Sequence, residues 1–348
     1  MLVAWFLLFL SFFGTLYVMP HSIRKLSSNG LVAKDMYKYN KPEIATNAGI
    51  ILIFTSFISI ALLPIFVLSI KYISLFEISV SNLTETNLAL LVVVSIYGMY
   101  GLVDDLVDIG RKSKLLLPVV FGYPLISIVS PSFIWIPFIG DFDLSRPFYE
   151  EVEWNDVFRV TIIPVYIMVV SNLVNMHSGY NGMQSGLSII IISTLLFKSF
   201  LDGKLESVIP VFSFLGSILA FWIYNKYPSK VFEGNIGSLM FGSLIGSVIV
   251  IQQYWWFGFF ILLPHTFNFL LWIFWLIMMK RNPSKYLLSG GVHQKFGKVD
   301  KNGSINVPNM LTLKWIPTYL FNFNEKSSVL CLYSLTFLFC LLGLLIFN

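Results

Sequence analysis

Charge is scarce in this 348-residue chain: Asp, Glu, Lys and Arg make up 12% of it, about half of what a soluble domain carries. So few charges cannot cover a water-facing surface, which excludes a free-standing soluble enzyme. Cysteine is nearly absent as well. Cys331 and Cys340 both lie in the last apolar run, so a disulfide framework and a cysteine metal cluster are excluded. No basic stretch precedes the first apolar segment, MLVAWFLLFLSFFGTLYVM, and no small-residue cleavage site follows it. The segment is therefore expected to be a retained span rather than a signal peptide. There is no convincing internal repeat and no low-complexity tract.

What the chain has instead is apolar length. Hydrophobic residues make up 56% of it and the mean hydropathy is +0.78. Runs of roughly 18 or more apolar residues recur, the mark of transmembrane helices. The expected fold class is all-α: a polytopic membrane protein forming one integral-membrane catalytic domain over 1–348. Ten spans are predicted, at about 2–19, 45–70, 87–103, 115–130, 159–177, 184–200, 207–225, 236–252, 255–279 and 327–347.

The charges orient this plan. Of 23 Lys and Arg residues, 18 fall in the connections 20–44, 104–114, 178–183, 226–235 and 280–326. By the positive-inside rule these face the cytoplasm, and both termini lie outside. The outer loop 131–158 is acidic, and the sequon Asn82-Leu83-Thr84 also falls outside. The net charge of +5 belongs to a membrane surface, and no nucleic-acid partner is expected.

The polar clusters all fall on the cytoplasmic side. In GLVDDLVDIGRKSK at 101–114, an apolar span ends in Asp104, Asp105 and Asp108. On a continuing helix 104 and 108 share a face. Carboxylates so placed bind a hard cation or act as base; the plainer reading is a solvated helix end, which opposes the macrodipole. In NLVNMHSGYNG at 172–182, Asn172 and Asn175 share a helical face, and Gly179 and Gly182 end the helix. Amides of this kind ligate metal through oxygen or read a base edge. FEGNIGS at 232–238 opens a helix whose glycines leave N–H groups free for phosphate, with Phe232 able to stack on a base. His293 sits in the basic loop GGVHQKFGK, and Trp315 and Tyr319 are expected near the lipid headgroups. Together these clusters suit a metal-bound pyrophosphate and a lipid substrate.

On these motifs the chain resembles the polyprenyl-phosphate N-acetylhexosamine-1-phosphate transferase family. GLVDDLVDIGRKSKLLLP resembles its aspartate-rich motif and NLVNMHSGYNGMQSG its asparagine motif. GYNG favours the branch using dolichyl phosphate and UDP-N-acetylglucosamine. The resemblance implies transfer of N-acetylglucosamine-1-phosphate with release of UMP, the first lipid-linked step of protein N-glycosylation. It implies Mg2+, with Mn2+ as a substitute, and allows a homodimer. It carries Asp104, Asp105 and Asp108 over as catalytic, and Asn175 and Asn235 as metal ligands. Lys114 would face the lipid phosphate, Asn181 and Phe232 the uridine, and Asn172 and Gly182 would also bind substrate. Lys34 and Asp35 would lie beside the nucleotide-sugar and His293 beside the sugar.

Two departures stand out. Position 235 is Asn where the family has a metal-binding Asp, with Glu233 nearby as a compensating acid. The arginines that flank the histidine in eukaryotic members are absent. With a short loop and no retrieval signal in LLIFN, an archaeal plasma membrane is expected ahead of the endoplasmic reticulum. The rivals are an undecaprenyl-phosphate enzyme of the same family, a relative that only binds, and a secondary transporter; one-sided acid placement argues against the last.

Overall fold

The computed structural model describes residues 1–73, 83–107, 109–283 and 296–347. Apolar chain in lipid must close its backbone hydrogen bonds internally, and this chain does so as helices. They are α1 (Leu2–Ser28), α2 (Gly49–Ala61), α3 (Leu63–Ile73), α4 (Glu85–Val107), α5 (Arg111–Leu116), α6 (Trp154–Met176), α7 (Met183–Leu201), α8 (Val211–Asn225), α9 (Gly234–Gln252), α10 (Trp255–Ile261), α11 (Leu263–Arg281), α12 (Trp315–Phe321) and α13 (Glu325–Ile346). Among the described residues, eight helices are long and apolar enough to cross a membrane, α2 and α3 counting as one; α8 is shorter.

The run at 115–130 differs from the single span expected. It divides into α5 and a nine-residue 3-10 helix, Leu117–Leu125. Pro118 and Pro124 lack the N–H that an α-helical ladder needs, and the chain adopts the tighter turn instead.

Helix α9 is the hub, buried along nearly all of Ile236–Gln252. Lipid offers no hydrophobic drive between helices, so small residues that admit close contact decide the packing. A Cβ on Gly242 would stand 2.5 Å from the Ser171 Cα of α6, and one on Gly246 3.2 Å from the Ile167 Cα. Helix α1 buries Ala4, Leu7, Ser11, Thr15, Met19, Ser22 and Leu26, one face at helical spacing. Buried hydroxyls link neighbours: Thr15 and Thr55 meet at 2.7 Å, Ser56 and Ser217 at 2.9 Å.

Four two-stranded antiparallel sheets complete the described residues. β1 (Val32–Lys34) pairs with β2 (Glu43–Ala45), with Lys34 opposite Glu43. The Phe232 N–H donates to the Ala45 carbonyl at 2.8 Å, and the Ala48 N–H to the Phe232 carbonyl at 3.1 Å. This ties the α8–α9 connection to the α1–α2 connection. β3 (Phe133–Ile136), β4 (Gly140–Asp143), β5 (Pro147–Tyr149) and β6 (Val152–Glu153) form hairpins before α6, and β7 (Lys298–Val299) pairs with β8 (Ile305–Asn306).

One expectation is corrected. Trp315 is fully buried rather than at the headgroups. Its indole N–H donates to the Tyr37 hydroxyl at 3.0 Å and its ring packs on Trp275. Burying a large ring whose N–H is satisfied is more favourable than leaving it at the interface. Tyr319, one turn on, stays half exposed.

Candidate active site

The end of α4, the α6–α7 turn, the start of α9 and the β1–β2 connection meet at one end of the bundle. They enclose a cavity of about 330 Å³, at the lower end of small-molecule sites. Lys34, Asp35, Asp105, Asn175, Phe232 and Asn235 line it. Motifs far apart in sequence thus share one chamber.

The aspartate cluster is divided in its tasks. Asp105 turns to α9: its Oδ1 accepts from the Asn235 N–H at 3.0 Å and its Oδ2 from the Ile236 N–H at 3.2 Å. A carboxylate there satisfies orphan donors and faces the positive end of the α9 dipole. The Asn235 side chain also hydrogen-bonds to Asp105. Only its NH2 can donate to a carboxylate, so its amide oxygen is left as an acceptor. Asp104 is buried and turns the other way, accepting from the Lys114 ammonium at 2.8 Å and the Ile109 N–H at 3.0 Å. Asp108 and His293 lie outside the described residues.

The asparagine motif is divided too. Asn175 faces the cavity, but Asn172 donates to the Met168 carbonyl of its own helix at 2.9 Å. Gly182 has φ +72° at the start of α7, a conformation that favours glycine. Asn181 is buried against Asp35, Lys38, Ser229 and Glu325, with its amide oxygen taken by protein donors.

Gln184, Asn225 and Lys314, in or beside the cavity, carried no mark in the sequence. Gln184 accepts from the Ser238 hydroxyl at 3.0 Å, and Asn225 donates to Glu233 at 3.1 Å. Burial pushes the Glu233 carboxyl up to about 7. Lys314 reaches behind the α6–α7 turn, donating to the Ser178 carbonyl at 2.8 Å under the rings of Tyr37 and Tyr180. Burial pulls its ammonium down to about 8, against an opposing pull from Glu325.

A hard cation fits the donor set. Among the described residues no three of His, Cys, Asp and Glu converge as a metal-holding group. The cavity is instead lined by Asn175 and Asn235, whose amides carry oxygens able to ligate a cation, beside the carboxylates of Asp35, Asp105 and Glu233. Mg2+ takes few protein ligands of this kind and completes its shell with water and substrate phosphate.

Residues 87–253 match the model of glycosyl transferase family 4. The chain is 27% identical to a protein of Saccharolobus solfataricus over 346 residues, 97% of this chain and 94% of the relative. That protein is provisionally named UDP-N-acetylglucosamine–dolichyl-phosphate N-acetylglucosaminephosphotransferase. A protein of the same provisional name from Sulfolobus acidocaldarius is 30% identical over 71% of this chain and 70% of its own length. The phospho-N-acetylmuramoyl-pentapeptide-transferase of Listeria welshimeri is 32% identical over 48% and 52%.

Proposed function

Because this chain belongs to glycosyl transferase family 4, we propose that it transfers N-acetylglucosamine-1-phosphate from UDP-N-acetylglucosamine to dolichyl or another polyprenyl phosphate, releasing UMP. The observation that carries this reading is the single cavity in which Asp105, Asn175, Phe232 and Asn235 meet, at one end of a bundle of membrane-length helices.

A lipid-phosphate oxygen attacks the sugar-bearing phosphorus; the new P–O bond forms as the bridging P–O bond to UMP breaks, and UMP leaves with that electron pair. The lipid phosphate is already largely ionised near neutrality, so no base is required. Lys114, held by Asp104, presents a cation to the incoming phosphate. Phe232 stacks on the uracil, while Asp105 holds the start of α9, which keeps Asn235 in the cavity that Asn175 also lines. A bound Mg2+ would offset the charge developing on the departing UMP. Positioning and electrostatics supply most of the acceleration.

The test is UMP release by purified protein given UDP-N-acetylglucosamine, a polyprenyl phosphate and Mg2+. No UMP above background overturns the reading. A panel of UDP-sugars and of dolichyl against undecaprenyl phosphate assigns the substrates.

Asn235 supplies a second expectation. In Asn235→Asp a carboxylate replaces the amide beside Asp105, and a bound divalent cation would offset the added negative charge. Half-saturating Mg2+ should fall several-fold, and Mg2+ should raise the melting temperature more than in the wild type. Superimposable titrations by both measures would remove Asn235 from the metal site.

We further propose ten crossings of an archaeal plasma membrane by one catalytic domain, the cavity on the cytoplasmic face and both termini outside. The 18 cations on the cavity side support this orientation. The two pieces of the 111–125 stretch add up to about 27 Å of rise, close to a hydrocarbon core of about 30 Å. In a background lacking Cys331 and Cys340, a cysteine at Leu2 should react with an impermeant reagent from outside. Reaction only after permeabilisation refutes the topology.

A further inference from the structure

We propose that Gln184 is a positioning residue, a buried polar strut that sets the spacing between the end of α6 that carries Asn175 and the start of α9 that carries Asn235. This rests on the function proposed above, in which those two amides hold Mg2+. Helices α6 and α9 meet directly deeper in the bundle. There the Ser171 hydroxyl donates to the Leu239 carbonyl at 3.1 Å, and Gly242 admits the Ser171 backbone. Ser171 stands four positions before Asn175, and Leu239 four positions after Asn235, in each case just over one helical turn. Between that contact and the cavity, a polar link joins the two helices through Gln184, in the first turn of α7.

Gln184 is buried at the cavity wall. Its Nε2 donates at 2.9 Å to the carbonyl of Val174, the residue before Asn175. Its Oε1 accepts at 3.0 Å from the hydroxyl of Ser238, one turn after Asn235. A carbonyl can only accept, so the Val174 bond fixes which end of the amide is nitrogen and turns the oxygen towards α9. The Val174 carbonyl lies in the last turn of α6, where carbonyls run out of helical partners. The Ser238 hydroxyl has one hydrogen and a second acceptor in range, the Gly234 carbonyl at 2.9 Å. Without Gln184 that hydroxyl would turn back onto its own helix, and the link between α6 and α9 at this level would be lost. Asn175 and Asn235 would both remain, but their spacing would be free. Mg2+ demands near-ideal octahedral geometry, with oxygens at about 2.1 Å, so it tolerates little change in that spacing.

The experiment is a Mg2+ titration of the purified full chain with two readouts, melting temperature and UMP release. Gln184→Met keeps the length of the side chain and removes both bonds. Loss of a group that orients metal ligands costs about 10- to 100-fold in metal affinity, so half-saturating Mg2+ should rise by about tenfold or more in both readouts. Affinity for uridine, which has no phosphate to share with Mg2+, should stay within about twofold by calorimetry, because the strut acts on the metal ligands. Ser238→Ala removes one of the two bonds and should shift half-saturation in the same direction by less. It also carries the test if Gln184→Met misfolds. The strut is overturned if the variants melt lower but keep the wild-type half-saturation, because Gln184 then only supports the fold. It is overturned equally if Gln184→Met loses uridine, because Gln184 then touches the nucleoside itself. A wild type whose melting temperature and UMP release both ignore Mg2+ overturns the metal site, and the strut with it.

Discussion

Asp105→Asn is expected to reduce UMP release by about 10²-fold or more, the cost of misplacing catalytic geometry by about 1 Å, while the protein still inserts and folds. Asp105 presents two oxygens to two N–H donors at the start of α9. An amide has one oxygen, so its NH2 would oppose the N–H of Asn235 or Ile236, two donors with no acceptor between them. The negative charge facing the helix dipole is lost in the same step. Asn235 then loses the contact that holds it in the cavity, and with it the place given to it under the proposed function. The fold survives because α4 and α9 also pack through apolar residues such as Tyr97 and Leu239. Purified variant with wild-type elution and helicity but near-normal turnover would sink the assignment of Asp105.

Gly101→Ala should cost nearly as much, although no functional atom is removed. A Cβ at Gly101 would stand 2.5 Å from the Asn235 carbonyl oxygen and 2.6 Å from the Ile236 Cα. Both are backbone atoms, which cannot rotate aside as a flexible side chain can. Helices α4 and α9 must therefore separate, and overpacking of this kind costs about 1–3 kcal/mol. The displaced atoms belong to Asn235 and Ile236, the residues whose N–H groups bond Asp105 one turn further along α4. A shift of about 1 Å in catalytic geometry costs about 10²-fold in rate. Gly14→Ala is the control: a Cβ there meets nothing within 4 Å, and activity should match the wild type. Wild-type activity and melting temperature in Gly101→Ala would show that the helices are not so closely apposed.

Much of the site was legible. Asp105, Asn175, Phe232 and Asn235 each end or begin an apolar run, where a polar cluster stands out against its surroundings. What escaped detection had no such contrast. Glu325 follows the N-cap Asn324, whose side chain accepts from the Ser327 N–H at 2.9 Å. In sequence it reads as an ordinary acid in a first helical turn. Lys38 and Lys314 sit among other cations at a membrane surface, where positive charge is the rule. Trp315 was misplaced because a Trp near a membrane end is commonly interfacial; its burial depends on the Tyr37 hydroxyl, 278 positions away.

By itself the sequence determined that this chain lives in lipid as helices, and at which ends its polar chemistry gathers. Those properties depend on hydrophobic length and local period, which a single strand of text carries. The tertiary structure alone decided which polar groups are free and which are spent. Asp104 pairs with Lys114 while its neighbour Asp105 joins α9. Asn181 is bonded to Asp35, Lys38, Ser229 and Glu325, while Asn175 lines the cavity. Buried donors and acceptors take the nearest partner that removes their desolvation cost, and that partner comes from wherever helix packing brings it.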